Sequence, residues 1–243
     1  DSIVPTSKQY YNILWVCEPR AILEGFRILN NQSVKSSASN FDAILTFDED
    51  LLSLPNAHKL LYGTTWIYDD FEFKEKIFQI SFLVGGKNTT VGHKLRHELY
   101  EDQKSIINPI DFYVSSSMPR RNQFNNKYVD NRYDLFDSQF HVAIENSRQN
   151  NYFTEKVMDC FKTKTIPIYY GCPNIGEYFD TQGMIIVESK KEILEACNSI
   201  DEDTYNSKLQ YIENNYKNCE KYTDLAKSLE DKITSTIITK YHI

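Results

Sequence analysis

Strand-like runs alternate with helix-like runs along nearly all of the 243 residues. That alternation implies a parallel sheet with helices on its faces, so the fold class is α/β. The runs at 11–17, 43–47, 59–62, 77–84, 110–114, 139–145, 165–170 and 184–187 read as strands. Several are continuously apolar rather than alternating, as strands covered on both faces must be. The last part reads as helix: Tyr205, Leu209, Ile212, Tyr216 and Cys219 recur at three- and four-residue spacing, and Leu225, Leu229, Ile233 and Ile237 every four. Each set is expected to pack through one stripe.

An acidic and aromatic break at 69–76 separates three weak strand signals from five stronger ones. We therefore expect two unequal Rossmann-like lobes: a reduced first lobe over 1–70, a second over 75–222, and a terminal helix over 223–243 packing on both. The second has the strand and helix count of a small doubly wound nucleotide-binding unit, which takes its ligand beyond the carboxyl ends of its strands. The polar stretch 115–131, with Arg120, Arg121, Asn125, Asn126 and Lys127, reads as a mobile loop beside a site.

With 41% apolar and 25% charged residues the chain can bury a sizeable core, and its formal charge of −7 disfavours nucleic acid as a partner. No run approaches the ~20 apolar residues of a membrane span, and the first ten carry no signal pattern, so the expected location is the cytoplasm. Five cysteines without a C-x-x-C read as reduced, mostly core thiols. There is no P-loop, no G-x-G-x-x-G, no H-E-x-x-H and no nucleophile elbow. Asp48-Glu49-Asp50 fits a metal-holding D-x-D, but it lies between a strand end and the apolar turn of Leu51 and Leu52 and reads better as helix-start acids.

Chemistry-bearing residues are densest over 140–179. Glu145-Asn146-Ser147 follows a buried strand, and Thr154 is placed as an N-cap just before Glu155 and Lys156. A helix start with unpaired N–H groups, followed at once by a cation, suits a diphosphate, and Glu155 suits ribose or sugar hydroxyls. The same three residues serve equally well as a capping pair and a solvated lysine. Asn146 and Tyr152 read locally as a turn residue and a core aromatic, and Glu145 as a residue that structures the strand end.

Phe140, Glu145-Asn146-Ser147, Tyr152-Phe153-Thr154-Glu155-Lys156 and Ile166-Pro167-Ile168-Tyr169-Tyr170-Gly171 resemble, without gaps, the signature of the α-1,3/4-fucosyltransferases, glycosyltransferase family 10. Upstream, Trp15-Val16-Cys17-Glu18 and the run from Phe41 to Asp48 are similar to the family's early strands. The resemblance implies a GT-B-like fold and an inverting transfer of fucose from GDP-fucose to a hydroxyl of a glycan acceptor, with no metal and no cofactor beyond the donor. It implies Glu18 as catalytic base, where the local reading is an exposed loop carboxylate. Asn146, Tyr152, Glu155 and Lys156 become donor-site residues by the same route.

The family's diphosphate-gripping arginine falls on Gly92. Its substitutes are sought among Lys87, His93, Lys94 and Arg96, with Lys87 and Arg96 carried as donor-binding candidates. Gly85-Gly86-Lys87 has backbone and ammonium to offer a phosphate, whereas Arg96, with Glu98, Glu101 and Asp102 around it, serves equally as a surface residue. Family members have a longer first lobe. Two other readings stay open: a different GDP- or UDP-sugar donor, and a nucleotide-sugar-binding module without turnover.

Overall fold

The computed structural model describes residues 10–118, 126–129 and 131–241. Arg120, Arg121 and Asn125 of the polar stretch lie outside them. The described residues form two all-parallel sheets. The first, in the order β1 (Ile13–Val16), β2 (Ala43–Thr46), β3 (Ala57–Lys59), carries α1 (Arg20–Gly25) and α2 (Asn31–Ser37). Its core is small: Val16, Val34, Ala38, Ile44 and Leu51.

The second sheet holds six strands. They are β4 (Ile77–Val84), β5 (Ile110–Val114), β6 (Asn126–Tyr128), β7 (Ser138–Ile144), β8 (Ile166–Tyr170) and β9 (Ile185–Ile186), in the order β6-β5-β4-β7-β8-β9. Every residue of β7 and β8 is buried, as in strands covered on both faces, and β8 is apolar throughout. Its helices are α3 (Val91–Glu101), α4 (Glu155–Lys162), α5 (Lys190–Ser199) and α6 (Glu202–Thr223), followed by α7 (Leu225–Tyr241). The chain builds outward through β5 and β6 on one side of β4, then returns to lay β7 on the other. The reversal opens a crevice at the carboxyl ends of β4 and β7.

Three local expectations change. The third strand lies at Ala57–Lys59 rather than 59–62, because pairing with β2 sets Ala57 opposite Ile44. Part of the polar stretch is strand: β6 pairs Asn126 with Phe112. On α6, Leu209 is exposed while Asn215 is fully buried. The Asn215 amide accepts from Asp180 N and donates to Asp180 O, and a buried amide satisfied on both sides costs little.

The loop between β7 and α4 ties the lobes together. Lys59 Nζ donates to Asn151 Oδ1 at 2.9 Å, Asn151 Nδ2 donates to Phe47 O at 3.1 Å, and Tyr152 packs its ring 5.4 Å from that of Phe47. The cleft between the sheets is thus built onto the loop that carries the 140–179 motif.

Candidate active site

β7 ends at Ile144, so the next residue, Glu145, enters the crevice with no solvent exposure. An isolated carboxylate there would be costly. It is stabilised by Thr154, whose N and Oγ1 both donate to it at 2.8 Å, and by Lys156 Nζ at 3.6 Å. Burial still raises its pKa above the ordinary value, with Lys156 opposing. Glu145 thereby fixes the start of α4. Thr154 caps the helix, and Lys156 Nζ donates to Glu155 Oε1 at 2.8 Å and to Thr154 Oγ1 at 3.1 Å. Burial would raise Glu155, but the adjacent ammonium overrides it and holds this carboxyl below its usual range. An ionised acceptor and a cation therefore sit side by side at a helix N-terminus, both partly exposed.

α3 approaches from the other side. Gly92 N donates to Asn146 O at 3.1 Å, and a Cβ on Gly92 would stand 1.8 Å from Glu145 O. No side chain fits there, which accounts for the glycine where the family pattern has arginine. One turn later Arg96 is buried rather than on the surface. Its Nη2 donates to Asn146 Oδ1 at 2.8 Å and its Nη1 to Ile144 O. The charged residues Glu98, Glu101 and Asp102 do not draw it outward, because the carboxyl end of β7 supplies its acceptors from inside.

His93 is not a cation. It closes a capping box with Thr90, and burial together with Arg96, Lys87 and Lys156 lowers its pKa to about 4. Gly85, Gly86 and Lys87 all line the cavity; Gly86 N is already satisfied by Ser117 Oγ at 3.0 Å, and the exposed Lys87 brings the run's one cation.

Glu18 follows β1 in the first lobe and is half-buried, not an exposed loop residue. Burial raises its pKa, and Lys156 and Lys87 lie near enough to pull it back while Glu155 pushes it up. The fold thus sets Glu18 within electrostatic reach of Lys156, Lys87 and Glu155. Tyr152 is 1% exposed and its hydroxyl is held strongly neutral, first by burial and then by Glu145, Glu18 and Glu155. It is a core aromatic whose polar end reaches this cluster.

A cavity of about 240 Å³ runs from Lys87, Arg96, Glu155 and Lys156 down to Arg132 and Asp159. The last two were missed in the sequence. The signal for Asp159 was a carboxylate inside the apolar run Val157–Phe161. Burial raises its pKa to about 7.

The D-x-D acids are engaged elsewhere. Arg20 clasps Asp48 through Nε at 2.6 Å and Nη2 at 2.8 Å, and Lys35 pairs with Asp50. Asp48 also accepts from the N–H groups of Asp50 and Leu51 at the head of a short 3₁₀ turn. Among the described residues no three His, Cys, Asp or Glu side chains form a metal-ligand set, and no helix is long and apolar enough to cross a membrane. Four of the five cysteines are buried and all five are free thiols.

Residues 74–234 match the family model "Glycosyltransferase family 10 (fucosyltransferase) C-term". The chain is 27% identical over 114 residues to the alpha-(1,3)-fucosyltransferase FucT of Helicobacter pylori, covering 47% of this chain and 21% of that protein. It is 31% identical over 102 residues to GDP-fucose protein O-fucosyltransferase 3 of Danio rerio, covering 40% of this chain and 22% of that protein. The chain thus matches about a fifth of the length of these curated relatives. In fold it is similar to an alpha1,3-fucosyltransferase crystallised with GDP-fucose, with a TM-score of 0.57 and 19% identity, covering 92% of this chain and 74% of the other. Its structural neighbours are GT-B glycosyltransferases.

Proposed function

The chain belongs to glycosyltransferase family 10, the fucosyltransferases, and from that premise we propose that it transfers fucose from GDP-fucose to a hydroxyl of a glycan acceptor, with inversion and without a metal ion. The observation that carries the reading is the Thr154-Glu155-Lys156 start of α4, an ionised acceptor beside a cation at a helix N-terminus, with Glu18 within electrostatic reach across the cleft.

The roles follow from charge and position. Glu155, held ionised, accepts from the ribose hydroxyls. Lys156, the α4 N-terminus and Lys87 surround the diphosphate and stabilise the charge that grows on it as the glycosidic bond breaks. Arg96 holds Asn146 in place from beneath. Glu18 removes the acceptor proton while that oxygen attacks the anomeric carbon from the face opposite the leaving GDP. Its raised pKa makes it a stronger base than an ordinary glutamate. Asp48 and Asp50, already paired with Arg20 and Lys35, have little charge left for a metal.

GDP is expected to raise the melting temperature in EDTA as well as in Mn²⁺, because a ligand at about 100 times its Kd adds ~2.7 kcal/mol to the folded state. A shift that EDTA abolishes and Mn²⁺ restores would overturn the metal-free assignment, and a shift with UDP but none with GDP would redirect the donor. Lys156→Ala should weaken GDP binding by roughly 1.5–3 kcal/mol, the range for a hydrogen bond to a charged group. Titration calorimetry showing wild-type affinity would reduce Lys156 to a partner of Glu155 alone.

A further inference from the structure

The cavity extends beyond the groups that the transfer uses. Its inner half lies against the sheet face between α4 and the turn that precedes β7, and is walled by Leu83, Val142, Ala143, Leu135 and Phe136. Walls of this kind suit a flat, largely apolar ring. Asp159 interrupts them. It sits four residues after Glu155, on the same side of α4 and about 6 Å further along the helix. That step is comparable with the reach from ribose hydroxyls to the far edge of a nucleobase.

Asp159 is 3% exposed. Its Oδ1 accepts from Thr65 Oγ1 at 2.7 Å and from Trp66 N at 2.8 Å, which fixes the carboxyl plane. No described residue donates to its Oδ2, although the residue lines the cavity. With the carboxyl held through Oδ1 alone, Oδ2 keeps its acceptor capacity for a donor that enters the cavity. Burial raises the pKa of this group to about 7, against the opposing bonds from Thr65 and Trp66 and the charge of Arg132. Arg132 lies 4.7 Å over the Trp66 ring and lines the same space, near enough for its charge to act on Asp159. His141, on the cavity wall, is neutral: burial lowers its pKa to about 3, and its Nδ1 is engaged with Ser81 Oγ at 2.7 Å.

We infer that this inner slot holds the base of the donor nucleotide and that Asp159 reads it through Oδ2, selecting a purine that presents two adjacent N–H donors, with Arg132 facing its acceptor edge. The inference rests on the donor-site reading above and adds the determinant of base specificity. Guanine offers N1–H and the 2-amino group side by side to one carboxylate, and O6 and N7 to a guanidinium. Uracil has a single N–H between two carbonyl oxygens, which a carboxylate repels. Asp159 is a specificity residue, remote from the bond that breaks.

The test titrates the full chain and Asp159→Asn with GDP, inosine diphosphate and xanthosine diphosphate. Inosine lacks the 2-amino group, and xanthosine carries a carbonyl in its place. The wild-type chain should prefer GDP to inosine diphosphate by roughly 10-fold or more, since the lost bond is to a charged group. In Asp159→Asn the amide oxygen still serves Thr65 and Trp66 while the NH₂ turns to the slot. The GDP preference should then collapse to about onefold, and xanthosine diphosphate should gain affinity, a gain that structural damage does not produce. Equal binding of GDP and inosine diphosphate by the wild-type chain overturns the inference while leaving the donor site standing, and that comparison needs no folded variant. An unchanged GDP preference in Asp159→Asn also overturns it. If none of the three diphosphates binds the wild-type chain, the donor-site reading fails and takes this inference with it.

Discussion

Glu18→Gln should lower the transfer rate by ~10²–10⁴-fold, the usual contribution of a positioned general base, while GDP affinity and melting temperature stay close to wild type. The glutamine is nearly isosteric, and Glu18 belongs to the first lobe, whereas Glu155 and Lys156 belong to the second. The variant also removes a carboxylate that burial has pushed above its ordinary pKa. The sign of the pH effect follows from the role: a base works only when ionised, so the wild-type rate should climb with pH through a value above the usual glutamate range. Glu18→Gln should lose that limb. Rate, affinity and stability measured on one preparation separate this role from structural damage, which lowers all three together. Full transfer activity in Glu18→Gln would move the search for the base to Glu24, Asp42 and Asp48.

Gly92→Ala should cost roughly 3 kcal/mol or more of folding stability, although alanine inside a helix is ordinarily favoured over glycine by about 1 kcal/mol. The Cβ would stand 1.8 Å from Glu145 O and 2.9 Å from Asn146 O, both backbone atoms that cannot rotate away. Relief requires α3 to withdraw, which breaks the bond from Gly92 N to Asn146 O and strains the Arg96 contact with Asn146 Oδ1. Overpacking of about 1–3 kcal/mol or more, together with a lost buried hydrogen bond, outweighs the helix preference. Gly92→Arg, which restores the residue of the family pattern, should fare no better, because Arg96 already occupies the acceptors at the end of β7. Urea unfolding gives the answer directly. Wild-type stability in Gly92→Ala would mean that α3 does not press on the β7 end as described.

The elements that frame the candidate site were legible wherever one short stretch of chain carries both the signal and the structure. The largely apolar run Phe140–Ile144, broken only by His141, needs cover on both faces, Thr154 with Glu155 announces a helix start, and the strand after α4 announces itself by Ile166–Tyr170. These are local choices of backbone torsion and burial, and they are written in neighbouring residues. The membership of the family was legible for the same reason, since its motif is contiguous.

What only tertiary structure decided involves partners far apart in the chain. Nothing near Arg96 indicates that its acceptors are Ile144 O and Asn146 Oδ1, about fifty residues on, and its acidic neighbours point the other way. Asp48 looks available until Arg20 is seen to hold it. Asp159 reads as an odd polar residue on an apolar helix face until the segment at Thr65 and Trp66 crosses it. The charge of Lys156 reaches Glu18 only because two separately formed sheets are joined by the loop between β7 and α4. Local pattern determines which elements form and which face is buried. The identity of each charge's partner depends on how those elements are brought together, and for buried charges that pairing sets both the desolvation cost and the chemistry.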